Sequence, residues 1–216
     1  MNPMRNKKRT ARLRAPALLA ALLLAAGMIA GCGAAAEEAE VSTARFGKDG
    51  SVEVVTVETF DQPYYSEDEL SQKIEADVEQ YNGGADKIKN KGLKVADGVA
   101  TLDLQYASAQ DYTDFNGQPM YYGSVQGALS AGYDLSSLLS AVSSQDSNKI
   151  FAQKDFETLA DSTAVIVTEP LRVVFPRQVL YATANSSANG ANEPQTQADL
   201  SADVSAQNPA IFILVK

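Results

Sequence analysis

Apolar and polar positions alternate along much of the chain after residue 42. Val52, Val54 and Thr56 fall on one side of an extended segment, and Glu53, Val55 and Val57 on the other. That period of two predicts a strand. Residues 43–46 precede it across Gly47-Lys48-Asp49-Gly50, whose Asp-Gly pair supplies the positive φ of a tight turn. A hairpin is therefore expected. A second is expected where residues 93–96 and 99–106 flank Asp97-Gly98, with Leu102, Leu104 and Tyr106 alternating against Thr101, Asp103 and Gln105. Residues 119–125 predict a further strand. Residues 164–168, 171–175 and 178–183 predict three consecutive strands, turning at Glu169-Pro170 and Pro176-Arg177. Residues 211–215 are apolar enough for a central strand.

One segment switches to helical spacing. Leu70, Ile74, Val78 and Tyr81 form an apolar stripe over residues 67–81. Ser66 and Glu69 have the spacing of a capping box, Glu67 and Asp68 complement the helix dipole, and Asn82-Gly83-Gly84 ends the run. Shorter helices are expected over residues 107–116, 127–131 and 155–160. Residues 132–146 fit either a helix or a loop and strand. Residues 186–208, rich in Ala, Asn, Gln and Ser, read as a long low-complexity surface loop. The expected fold is a single α+β domain over residues 43–216, an antiparallel sheet of hairpins packed against one main amphipathic helix.

The chain begins differently. Arg5, Lys7, Lys8, Arg9, Arg12 and Arg14 precede an uncharged stretch rich in Leu and Ala, which runs into Met28-Ile29-Ala30-Gly31-Cys32. Residues 1–31 read as a signal segment, with an apolar run short for a span of about 20 residues. The residues ending at Cys32 resemble the lipobox of bacterial lipoproteins, with Ile29 where Leu is commoner. The resemblance implies cleavage before Cys32, a diacylglycerol thioether on Cys32 and long acyl chains of the palmitate kind. It implies a place on the extracytoplasmic face of the cell membrane, with residues 32–42 as a flexible tether. The other reading is an uncleaved anchor whose cysteine is incidental.

A second resemblance covers most of the chain beyond Cys32. Phe60-Asp61-Gln62-Pro63-Tyr64-Tyr65-Ser66-Glu67-Asp68-Glu69-Leu70, running on to Tyr81-Asn82, is similar to an F-D-x-x-Y-Y-x-x-x-E-L segment of Gram-positive bacterial membrane lipoproteins. Tyr106-Ala107-Ser108, Asp111-Tyr112, Phe115-Asn116-Gly117, Tyr121-Tyr122-Gly123 and Glu169-Pro170-Leu171 belong to the same resemblance. It implies the lipoprotein class and no particular activity.

Composition narrows the chemistry. The only cysteine is Cys32, so the domain beyond it has no disulfide. Without histidine, Ser-His-Asp and Cys-His nucleophiles and His-based zinc sites are excluded. Without tryptophan, the usual sugar-stacking platform is missing. All 27 acids but only 12 of the 18 bases follow the leader, so the remainder carries a net charge of −15 against −9 for the whole chain. Such a surface repels nucleic acid.

Among the candidates left, Tyr64, Tyr65, Tyr112, Tyr121 and Tyr122 are suited to line a groove for a glycan or peptide. The plainer reading is a half-buried rim. Asp111, Asp114 and Asn116 resemble part of a calcium loop, but the remaining ligands are missing. No metal or cofactor is implied. Ser71 and Lys73 have no suitable spacing for a dyad. No carboxylate pair stands out among so many acids. Lys87, Lys89, Lys91 and Lys94 suit an anionic glycopolymer, or else a solvated loop and strand edge. The expected function is a lipid-anchored cell-surface binding or interaction module. Its partners are the membrane through Cys32 and an envelope protein or glycopolymer. The alternatives are a wall-active carboxylate hydrolase and a small solute-binding lipoprotein.

Overall fold

The computed structural model describes residues 40–189 and 195–216. The expected signal segment, Cys32 and the expected tether up to residue 39 lie outside the described residues. Within them the chain is α+β. It runs through β1 (Thr43–Phe46), β2 (Val52–Thr59), α1 (Glu67–Asn82), β3 (Ile88–Ala96), β4 (Val99–Tyr106), α2 (Ala109–Asn116), β5 (Met120–Ser124) and α3 (Val125–Ser130). A 3₁₀ turn (Ser136–Ser140) and α4 (Asp155–Thr158) follow, then β6 (Thr163–Val167), β7 (Arg172–Val174), β8 (Val179–Ala182), β9 (Gln197–Asp199) and β10 (Ala210–Leu214).

The strands form two sheets, in the orders β3-β4-β2-β1-β7-β9 and β5-β6-β10-β8. Neighbours are antiparallel except β1 and β7, which pair in parallel. The first hairpin pairs Thr43 with Val55 and Phe46 with Val52 around the expected turn. The second extends farther back than Leu93, to Ile88 opposite Tyr106. Both rest on the positive φ available to Gly50 and Gly98.

One face of each sheet supplies the main core. Ala44, Phe46, Val52, Val54, Leu102 and Leu104 come from the larger sheet, and Val165, Val167, Phe212 and Leu214 from the smaller. The other face of the smaller sheet also packs. Ala164, Ile166, Ile211, Ile213 and Tyr181 meet Val125, Ala128, Leu135, Leu138 and Phe151. That second layer explains why all five residues of β10 are buried.

α1 is held at both ends. The Ser66 side chain accepts from the Glu69 N–H at 3.3 Å, and Gly83 at φ 53° closes the C-terminus. Ile74 and Val78 enter the main core. Asn82 then clasps β3, its Nδ2 donating to the Ile88 carbonyl at 2.8 Å and its Oδ1 accepting from the Ile88 N–H at 2.9 Å.

Two local expectations are revised. The stretch 186–208 is not a continuous surface loop: within it β9 closes the edge of the larger sheet, and Ala188, Ala198 and Val204 are buried. Small side chains fit there against β7, so the segment packs without the bulky alternation that marks other strands. The three consecutive strands do not share one sheet. The turn at Glu169-Pro170 carries the chain from β6 in the smaller sheet to β7 in the larger.

Phe212 has no exposed surface and packs on Phe175 with ring centroids 4.7 Å apart. Phe212→Ala is expected to cost about 3–5 kcal/mol of unfolding free energy in urea. Ser66→Ala is expected to cost about 1 kcal/mol. A Phe212 variant as stable as the parent would show that the two sheets do not depend on this shared core.

Candidate functional site

The five tyrosines do not line one surface. Tyr121 and Tyr122 are successive residues of β5, so their side chains leave opposite faces. Tyr122 stacks on Phe46 at 5.6 Å beside the main core. Tyr121 packs against Tyr133 at 5.2 Å beside the second core, and its hydroxyl donates to the Ser124 carbonyl at 3.0 Å. Tyr112 sits on the buried side of α2, 4% exposed, edge-on to Tyr106 at 5.1 Å.

Only Tyr64 and Tyr65 make an open aromatic surface. They lie between β2 and α1, with Tyr64 74% exposed. Tyr65 stacks on Phe60 at 4.8 Å and meets Tyr64 edge-on at 5.0 Å. The loop starts in place because the Phe60 N–H donates to the Gly98 carbonyl at 2.6 Å.

The most perturbed titratable groups gather elsewhere, where the two sheets are joined. Tyr112 Oη donates a short hydrogen bond to Glu169 Oε1, in the turn between β6 and β7. Burial pushes the Glu169 carboxyl above the ordinary value of 4.5, and the Tyr112 hydrogen bond pulls it partly back. Glu58, near the end of β2, is also pushed up, first by burial and then by the charge of Glu169. Burial raises Tyr112 and Tyr106 as well, and the charge of Glu169 adds to both.

A hydrolase needs two carboxyls at a defined separation, whereas the local chemistry of Glu169 is that of a clasp. One Glu169 oxygen is taken by a phenol that is itself buried. The bond ties α2 to the inter-sheet turn. Tyr106 and Tyr112 are further tied by Asn116, whose Nδ2 donates to Tyr106 Oη at 3.1 Å and to the Tyr112 carbonyl at 3.0 Å.

Asp111, Asp114 and Asn116 are likewise spoken for. Asp111 accepts from Tyr81 Oη at 3.1 Å and from Ser108 Oγ at 2.6 Å, while Asp114 accepts from Gln110 Nε2 at 2.8 Å. The Tyr81 hydroxyl is pushed up to about 12 by burial and by its bond to Asp111. Among the described residues no group of three or more His, Cys, Asp or Glu side chains is placed to hold a metal.

A shallow groove of about 250 Å³ opens beside α3, lined by Leu129, Tyr133, Leu139 and Phe156 among others. Leu129 and Leu139 are exposed there. Neither Glu58 and Glu169 nor this groove stands out in the sequence. Glu58 continues the alternation of β2 onto its core-facing side, the one local signal available. Glu169 carries no such signal, because its partner lies far away in the chain.

Comparison with protein-family models, with curated proteins and with solved structures gives no match. The lipoprotein resemblance therefore stands on its residues alone.

The raised carboxyls make stability depend on pH. Their folded values exceed the unfolded ones, so the folded state binds more protons. Their contribution is complete below about 4.5 and is lost as pH rises through the folded values. Urea unfolding across this range is expected to show a shallower loss for Glu169→Gln than for the parent. Tyr112→Phe removes a donor to a partly buried carboxylate, so it is expected to cost about 1–3 kcal/mol at neutral pH and less in acid. Parallel curves for parent and Glu169→Gln would place the titration elsewhere.

Proposed function

We propose that the protein is a lipid-anchored lipoprotein on the extracytoplasmic face of a bacterial membrane, and that its domain is a binding module. The observation that carries the reading is the run Met28-Ile29-Ala30-Gly31-Cys32 behind a basic and apolar leader. The first strand of the domain starts at Thr43, 11 residues after Cys32. An extended tether of that length reaches at most about 40 Å. Two or three acyl chains on Cys32 hold the domain at the membrane, since each buried methylene contributes about 0.8 kcal/mol.

The end of the larger sheet at which β1 begins is the end that the tether joins. The register puts Thr43, the end of β2 and the Asp97-Gly98 turn at one end of the larger sheet. The Phe60–Tyr65 aromatics follow directly from that end of β2. The Gly47–Gly50 turn lies at the other end. A binding role is supported by exposed apolar groups: Tyr64 at the tethered end, and Leu129 and Leu139 at the groove. The partner is an envelope protein or glycopolymer. The acidic surface disfavours nucleic acid.

Intact-mass analysis of the membrane fraction tests the anchor. The mature chain is expected to begin at Cys32 and to carry diacylglycerol, whereas Cys32→Ala is expected to keep its leader. A parent chain that retains residues 1–31, or a Cys32→Ala chain processed normally, would overturn the reading.

A further inference from the structure

β3 is one edge of the larger sheet, opposite the β9 edge, and its longest strand. Ile88, Leu93 and Val95 turn inward, Ile88 into the core beneath α1. Lys89 and Lys94 therefore leave the opposite face, across the ladder from the uncharged Gln105 and Thr101. A bulge between Asn90 and Gly92 leaves Lys91 outside the register, with its side chain exposed. Lys87 precedes the strand and lies over the Tyr81 ring at 5.2 Å. Four of the domain's 12 bases thus fall within eight residues.

None of these four lysines closes an ion pair among the described residues. Among the described residues the ion pairs join Arg45 to Glu53, Lys73 to Asp77 and Arg172 to Asp199. The one acid across the ladder is Asp103, opposite Gly92. Burial and the charge of Glu53 push its carboxyl up, partly offset by Lys91 and Arg45.

Lysines and a bulge on an edge are also how a sheet resists pairing with another strand. That argues against a β-strand partner and leaves the side chains as the binding element. Lys89 and Lys94 pair with Gln105 and Thr101, four steps apart, so with the bulge the charges span about 13 Å at roughly 3.3 Å per residue. A line suits a thin chain better than a broad charged body, whose other contacts would fall on a domain with more than twice as many acids as bases. We propose that the β3 edge binds a flexible linear polyanion, held by Lys89, Lys91 and Lys94 with Lys87 at its end. This deepens the binding-module reading and does not depend on the lipid anchor.

The test uses the full chain in detergent, its lipidation checked by mass, and a fluorescent linear polyphosphate read by anisotropy. Binding is expected at low salt and should weaken about a hundredfold for a tenfold rise in salt, as three or so charge contacts require. Lys89→Gln, Lys91→Gln and Lys94→Gln together are expected to weaken it about tenfold or more and to flatten the salt slope. The matched set Lys48→Gln, Lys149→Gln and Lys154→Gln should leave it unchanged, and arginine in place of the three β3 lysines should retain it. Unchanged urea midpoints would confirm that the variants fold. The proposal is overturned by absence of binding at low salt, by equal loss in both glutamine sets, or by tighter binding to duplex DNA. A lipidated chain that ignores the polymer sinks this inference and leaves the anchor standing.

Discussion

Every residue of β10 is buried because the smaller sheet packs on both of its faces. On one side Phe212 and Leu214 meet the core shared with the larger sheet, and on the other Ile211 and Ile213 meet the short helices. The chain has no disulfide to fall back on beyond Cys32, so these two apolar layers must hold the fold. The strand order follows from that demand. β6 and β8 flank β10 in the smaller sheet, while β7 leaves for the larger and pairs in parallel with β1. The chain between β6 and β7 must then turn at Glu169, and Tyr112 is the side chain that holds the turn.

Polar residues that look like chemistry in the sequence are mostly consumed by such joints. Tyr81 and Asn82 end α1, and each reaches out of it: Tyr81 to Asp111 and Asn82 to both backbone groups of Ile88. Ser108 and Asp111 cap α2, and Thr113 bonds both the N–H and the carbonyl of Met120 where β5 begins. A buried polar group is costly unless paired, so helix ends close to strand starts collect side chains of this kind. Much of the lipoprotein-like motif set is therefore accounted for as packing and capping. The exposed Tyr64 lies apart from those joints, at the end of the sheet where the chain enters the domain.

What could be read from the sequence was what local forces decide. The hairpins around Gly47–Gly50 and Asp97-Gly98, and α1 with its Ser66 cap, are set by neighbouring residues and appear nearly where the pattern puts them. β9 escaped because Gln197, Ala198 and Asp199 have no bulky alternation, and only β7 makes them a strand. The five-tyrosine groove was at odds with one local rule, since adjacent residues of a strand cannot share a face. Tyr112 was a different matter: α2 was foreseen, but the face it buries is set by Tyr106 and Glu169, which come from distant segments. The Glu58 and Glu169 pair likewise exists only once β2 and the β6–β7 turn are brought together.

The arrangement of charge has a consequence for any partner. Acids dominate the domain, and several crowd the first turn of α1 as Glu67, Asp68 and Glu69, where the helix dipole favours them. Basic residues are fewer, and of the ion-paired ones Arg45, Lys73 and Arg172 are already matched. The β3 edge differs because two needs coincide there. A nine-residue free strand must be kept from pairing with another chain, which favours lysines along it. Those same lysines, placed opposite uncharged residues of β4, leave an acidic molecule with one line of positive charge. For a polyanion bound as proposed, the surrounding acids would confine it to that line, where its attraction is electrostatic and screened by salt.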